Sequence, residues 1–180
     1  IESMHPQGQD ACLIKCFGSF EVLAGNQSVK WGRSKSKEFL AYMLLNEGKW
    51  VTKYKLCDEL RPDCGTEQAL AYLQMSVYTL RKSLREADCK QLEIKYSDDR
   101  YILKVKDAQW DMRQFQEAYE EFYRTGSPDA AQKAISCYKG EYLEGEDWLW
   151  ADIPREDYVC KYEKLCEVDG LKSITYAQYD

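Results

Sequence analysis

The stretch Thr66–Leu84, TEQALAYLQMSVYTLRKSL, decides how the rest of the chain is read. Leu70, Leu73, Val77, Leu80 and Leu84 recur at spacings of three and four, which in a helix lines them along one stripe that a core can cover. Gln68, Ala71, Tyr72, Met75, Thr79 and Lys82 fall opposite. That outer face is uncharged over its first two turns and becomes basic through Arg81, Lys82 and Arg85. Such a gradient suits a helix whose N-terminal end enters a DNA groove while its basic end meets phosphates. Most amphipathic helices are simply packed surface helices, so the neighbouring segments have to decide between the two readings.

Upstream, CLIKCFGSFEVLAGNQSVKW offers short β-prone runs at 13–17, 20–23 and 29–31, with Ala24-Gly25-Asn26 as a turn between the last two. Ser34 or Ser36 can cap a helix through Phe39, Leu40, Met43 and Leu44 that Asn46 and Gly48 close. Thr52 is the expected N-cap of a second helix, with Val51 packing on Leu56 as a hydrophobic staple and Pro62 as its end. Asp63-Cys64-Gly65 is a turn and Thr66 the expected cap of the long helix. Beyond it, LEIKY and YILKV alternate on either side of SDDR, the pattern of a β-hairpin. Strands, three helices and a hairpin in that order make a winged helix-turn-helix, in which the hairpin reaches an adjacent groove or the backbone.

After Lys106 the pattern is helical throughout. Phe115, Ala118, Tyr119 and Phe122 give one amphipathic helix that Gly126 stops, and Ser127-Pro128 starts another that buries Ala131, Ala134, Ile135 and Tyr138. An acidic connection, EYLEGEDWLWAD, leads to a long final helix from Pro154 with Tyr158, Tyr162, Leu165 and Ile174 on its sides. Trp148 and Trp150 in that connection read as buried area rather than as an exposed contact. Paired helices with short turns suggest tetratricopeptide-like (TPR-like) units, of which about one and a half fit, fewer than the three or so that a helical array generally needs. The fold class expected is therefore an α+β winged helix-turn-helix domain at 11–106, followed by an all-α TPR-like domain at 107–180 that is incomplete, with 1–10 as a linker or tail. The chain opens on Ile1, and the expectation is that it is cut from a longer protein.

Charge divides the same way. Residues 1–106 hold 17 Lys and Arg against 14 Asp and Glu, a balance of +3, while 107–180 hold 8 against 17, a balance of −9. The first part tolerates phosphates and the second repels them. No apolar run nears the roughly 20 residues that cross a bilayer, and the N-terminus lacks a signal-peptide plan, so a cytoplasmic protein with no membrane partner is expected. Eight cysteines without a C-x-x-C pair, and His5 as the single histidine, argue for reduced thiols and against a metal site or cofactor. With no histidine in the folded part, no phosphate-binding loop and no nucleophile elbow, the chain is not expected to be an enzyme.

The ordered set of these segments resembles the SARP-type bacterial transcriptional activators, in which an OmpR-like winged helix is joined to a bacterial transcriptional activation domain. CFGSFEVLAG and VKWGRSKSKEFLAYMLLNEGKWVTKYKLCDEL look like that family's opening strands and first two helices, and LQMSVYTLRKSL is similar to its recognition helix. DMRQF, YKGEYLEGEDW and the helix from Pro154 look like the start of the activation domain. The resemblance implies a sequence-specific DNA-binding transcriptional regulator with double-stranded DNA as partner, RNA polymerase and a second copy of the chain as further partners, and a two-component phosphorelay upstream where a receiver domain precedes 1–10. Carried over by position, Ala71, Tyr72, Met75, Ser76 and Thr79 face bases, while Lys35, Lys37, Arg81, Lys82, Arg85 and Arg100 meet phosphates. Arg100-Tyr101 stands where the family wing usually has Gly-Tyr, and few bidentate base readers remain on the outer face, so phosphate contact and shape readout are expected over a rich base code. The alternative is a protein–protein interaction scaffold in which the winged helix does not bind DNA and Tyr72 and Met75 lie packed beneath the second domain.

Overall fold

Helical periodicity in the sequence is realised closely in space. The computed structural model describes residues 11–177, with side chains through 170; the expected linker 1–10, His5 and the side chain of Ile174 lie outside the described residues. In chain order the elements are β1 (Cys12–Lys15), β2 (Glu21–Ala24), β3 (Gln27–Ser28), α1 (Ser34–Leu45), β4 (Val51–Thr52), α2 (Lys53–Leu60), α3 (Thr66–Glu86), β5 (Leu92–Ser97), β6 (Arg100–Val105), β7 (Ala108–Trp110), α4 (Asp111–Thr125), α5 (Pro128–Cys137), a 3-10 turn at Leu149–Ala151 and α6 (Asp152–Ala177). One sheet runs in the order β3-β2-β1-β7 and the other in the order β4-β6-β5. β4 and β7, two and three residues long, have no counterpart in the sequence reading.

The described residues form two compact units, the first comprising 11–13 and Val22–Ala108, the second Ile14–Glu21 and 109–177. What the sequence did not reveal is that Ile14–Glu21, flanked on both sides by the first unit, belongs to the second.

In the first unit, Phe39, Leu40, Met43 and Leu44 of α1, Leu56 of α2, Leu80 of α3 and Leu103 of β6 are fully buried and make the core. The wing hairpin pairs Leu92 with Val105, Ile94 with Leu103 and Tyr96 with Tyr101. Its two-residue turn, Asp98-Asp99, has φ of 49° and 61°, the left-handed pair of a type I′ turn. The conformation that glycine usually supplies is thus carried by two aspartates, whose short polar side chains tolerate it. Arg100 consequently stands in the strand, paired with Ser97 and Thr52.

Capping is only partly as expected. Thr52 Oγ1 accepts from Lys55 N, and Ser127 Oγ from Ala130 N ahead of Pro128. Neither Ser34 nor Ser36 caps α1, whose N-cap is Arg33, and α3 starts from Gly65 with Thr66 already helical. Ser36 is spent otherwise: buried, its hydroxyl donates to Ser76 O at 2.8 Å and ties α1 to α3.

The second unit is an α4–α5 helical hairpin with α6 and the Ile14–Glu21 segment. Phe17 from that segment sits among Phe115, Tyr138, Tyr142 and Tyr158, with ring centroids 5.0–6.3 Å away. Asp111 fixes its backbone, since its carboxylate accepts from Cys16 N and Phe17 N at 2.9 Å and from Met112 N at 2.7 Å. Arg155 gathers the carbonyls of Tyr142, Leu143 and Glu146, which holds the acidic connection in shape. Trp148 and Trp150 stack on each other there and remain half-buried, so they are less covered than their apolar area suggested.

Candidate nucleic-acid interface

α3 places its residues by angle around the helix. Ala69, Leu73, Ser76, Val77, Leu80, Ser83 and Leu84 are buried, an arc that leaves Leu70 on the rim although its type suggested the centre of the stripe. Opposite that arc stand Ala71, Gln74, Met75, Tyr78, Lys82 and Arg85, all exposed. Met75 is 45% and Tyr78 61% exposed, a large apolar area for a helix to leave in water.

Ser76 departs from the expected outward set. It is 4% exposed, and its hydroxyl donates to Tyr72 O at 2.8 Å within the helix. The reason is phase: Ser76 lies three residues after Leu73 and four before Leu80, so a small side chain fits where α1 comes close. Thr79 and Tyr72 flank the outer face. The Thr79 methyl lies 2.9 Å from where a Cβ on Gly32 would stand, so it faces the loop that enters α1. The Tyr72 ring carries the Arg61 guanidinium 4.4 Å from its centroid, and its hydroxyl accepts from Gln68 Nε2. Tyr78, absent from the expected contact set, follows Met75 by three positions and Ala71 by seven; that spacing was the signal for it.

The six cations expected at phosphates meet different fates. Lys35 Nζ donates to Glu38 Oε2 and to Leu60 O, each at 2.6 Å. Its charge at the start of α1 is thereby explained within the fold, by a buried carboxylate one turn on and by the carbonyl end of α2, where the helix dipole favours a cation. Lys37 sits half-buried on α1. Arg81 donates through Nη2 to Ile94 O at 3.0 Å, fastening the helix to the wing. Lys82 lies 3.9 Å from Glu86, an exposed pair of little energetic weight, and Arg85 is exposed beside it. Arg100 stands at the base of the wing turn, with its guanidinium 6.0 Å from the Trp50 ring centroid.

Around the wing lies a patch that the sequence reading missed. Trp50, Tyr54 and Tyr96 are each about half exposed. Asp99 accepts from Lys53 Nζ and Tyr96 Oη, both at 2.8 Å. These partners, Lys53 first, hold the Asp99 carboxyl below its ordinary range, and the Asp99 carboxylate in turn raises Lys53 and Tyr96. The interleaving of aromatic and basic residues in KWVTKY was the available signal. The turn itself is acidic, with Asp98 and Asp99 at the tip.

Among the described residues no group of three or more His, Cys, Asp and Glu is arranged to hold a metal, and no helix is long and apolar enough to cross a membrane. No protein-family model matches the chain, and no curated protein matches it. Among solved structures, the chain is similar to Mycobacterium tuberculosis EmbR in complex with a low affinity phosphopeptide, at 18% identity and a TM-score of 0.71. The likeness covers 88% of this chain and 44% of that one, so the chain spans under half the length of this neighbour. At that identity what the two share is the fold, a mixed α/β N-terminal part followed by a helical region.

Proposed function

We propose that the first unit is the DNA-binding part of a transcriptional regulator of the SARP kind, with the outer face of α3 in the major groove and the β5–β6 wing on the backbone or in the minor groove. The observation that carries this is the division of α3: one arc is committed to the core, and the other, from Ala71 through Met75 and Tyr78 to Lys82 and Arg85, is open along its length. Ala71, Met75 and Tyr78 are the base-facing residues, with Tyr72 and Thr79 at the flanks; Met75 and Ala71 suit thymine methyls better than base-edge hydrogen bonds. Lys82, Arg85 and Arg100 are the phosphate contacts, joined by Lys37 and the remaining N–H groups of Arg81. Ser76 and Lys35 have no part in it. The second unit is a TPR-like array of about one and a half units in the position of an activation domain, with RNA polymerase and a second copy of the chain as its partners.

A salt titration tests this reading. The variant Lys82→Glu/Arg85→Glu binds duplex DNA more weakly at every sequence, and the slope of log K against log salt becomes shallower by about 2. An unchanged affinity and slope in the folded variant would overturn it. Selection of bound genomic fragments with the unaltered protein then supplies the operator.

The acidic wing tip favours a second reading, in which this surface docks a protein. Asp98 and Asp99 at the most projecting point oppose phosphate approach, while Trp50, Tyr54 and Tyr96 offer the aromatic area typical of interface anchors. Failure of any duplex fragment to be enriched over the double variant decides for it.

A further inference from the structure

Cys12 opens β1 and Cys89 lies in the turn that leaves α3, and both belong to the first unit. Separated by 77 residues of chain, their Sγ atoms stand 3.9 Å apart, and the residues are 2% and 6% exposed. The turn is built to bring them together. Asp88, at φ 52°, ends the helix in the left-handed region, and Cys89 N donates back to Leu84 O at 2.9 Å, which turns the Cys89 side chain inward. Contact between the two sulfurs lowers the Cys89 thiol and raises that of Cys12, so the pair shares one proton more readily than it holds two charges.

We propose that Cys12 and Cys89 form a reversible disulfide site that a small hydroperoxide closes. Cys89 is the attacking sulfur, because it lies in a turn between exposed Asp88 and Lys90 that a local opening bares, whereas Cys12 is held in strand β1. Its sulfur bonds to one peroxide oxygen as the O–O bond breaks; the departing hydroxide takes a proton and leaves as water, and Cys89 becomes a sulfenic acid. Cys12 sulfur then attacks Cys89 sulfur, the S–S bond forms as the S–O bond breaks, and the Cys12 proton leaves with the hydroxide as a second water. Two thiols lose two electrons and two protons, and hydrogen peroxide is reduced to two waters. Rotation about the side-chain bonds has to bring the sulfurs from 3.9 Å to about 2.05 Å. Exposed Asp88 and Lys90 flank Cys89, so a brief opening of the turn suffices to admit the oxidant. The site stands whether or not the first unit binds a duplex.

Tryptic cleavage after Lys15, Arg85 and Lys90 leaves Cys12 in peptide 1–15 and Cys89 in peptide 86–90, each with no other cysteine. Native protein is titrated with hydrogen peroxide, alkylated and mapped by mass spectrometry. The expected result is a 1–15/86–90 linked pair, lighter by about 2 Da than the sum of its thiol peptides as two hydrogens are lost, that dithiothreitol reverses. In Cys12→Ala the resolving partner is gone, so Cys89 is trapped by dimedone as the sulfenic acid, an adduct that the unaltered protein does not accumulate. The proposal is overturned if both cysteines remain alkylatable at a peroxide dose that has consumed exposed Cys160, or if they link to other cysteines instead. The unaltered protein decides this alone should the variant fail to fold.

Discussion

Asp111 stabilises three backbone N–H groups with one carboxylate, and it does so out of water. Burial pushes its carboxyl up to about 6, a larger effect than the lowering by the N–H groups of Phe17, Cys16 and Met112. A carboxyl whose folded-state value lies above its unfolded value binds its proton more tightly in the native protein, so stability declines as pH rises between the two values. From pH 4 to pH 6 this group's contribution to the unfolding free energy falls by about 2–3 kcal/mol, at about 1.4 kcal/mol per unit. Denaturant unfolding at several pH values checks it: Asp111→Asn is less stable at low pH but lacks that decline. An equal pH dependence in both proteins contradicts the assignment.

Gly32 shows how an element is positioned by what it excludes. Its φ of 67° is in the left-handed region, and a Cβ there would meet the Thr79 methyl at 2.9 Å. The loop entering α1 can therefore lie against α3 only without a side chain. Gly32→Ala is expected to cost about 2–3 kcal/mol, combining left-handed strain with overpacking. Thr79→Ser removes the methyl, so the double variant recovers the packing part and retains about 1 kcal/mol of strain; midpoints of chemical unfolding separate the two. At this scale the helices were legible because several turns of three-and-four spacing outvote any single residue. Position 76 was misread because it was carried over from the family's recognition helix, whereas its phase between Leu73 and Leu80 puts it inside. β4 and β7 left no trace, since strands of two or three residues are set by their partners and have no period of their own. Lys35 was expected at a phosphate, and its actual partners are a buried glutamate one turn on and the carbonyl end of another helix, which no local motif shows. Tyr78 and the Trp50–Tyr54–Tyr96 patch could have been reached by spacing and aromatic–basic interleaving.

Taken as a whole chain, the two units are interleaved in sequence. Charge and periodicity change near Lys106, but composition carries no sign that Ile14–Glu21 belongs with the later unit. Beside the backbone bonds to Asp111, one ring anchors that segment: Phe17 occupies the middle of an aromatic cluster whose other members all come from Phe115 onward. Phe17→Ala in the full chain is expected to destabilise the second unit by about 3–5 kcal/mol. A fragment beginning at 109 lacks both the ring and the partners of Asp111, and its thermal melt followed by circular dichroism is expected to show no cooperative transition. A sharp transition in that fragment would show that Ile14–Glu21 is dispensable.

The same interleaving imposes a schedule on the ribosome. Phe17 is synthesised some 140 residues before Tyr158, the last ring to reach it, roughly 10–30 s at ordinary rates of elongation. Throughout that interval an apolar segment flanked by β-prone runs lacks the rings it packs against. The segment therefore stays without its partners for as long as translation from β1 to α6 takes.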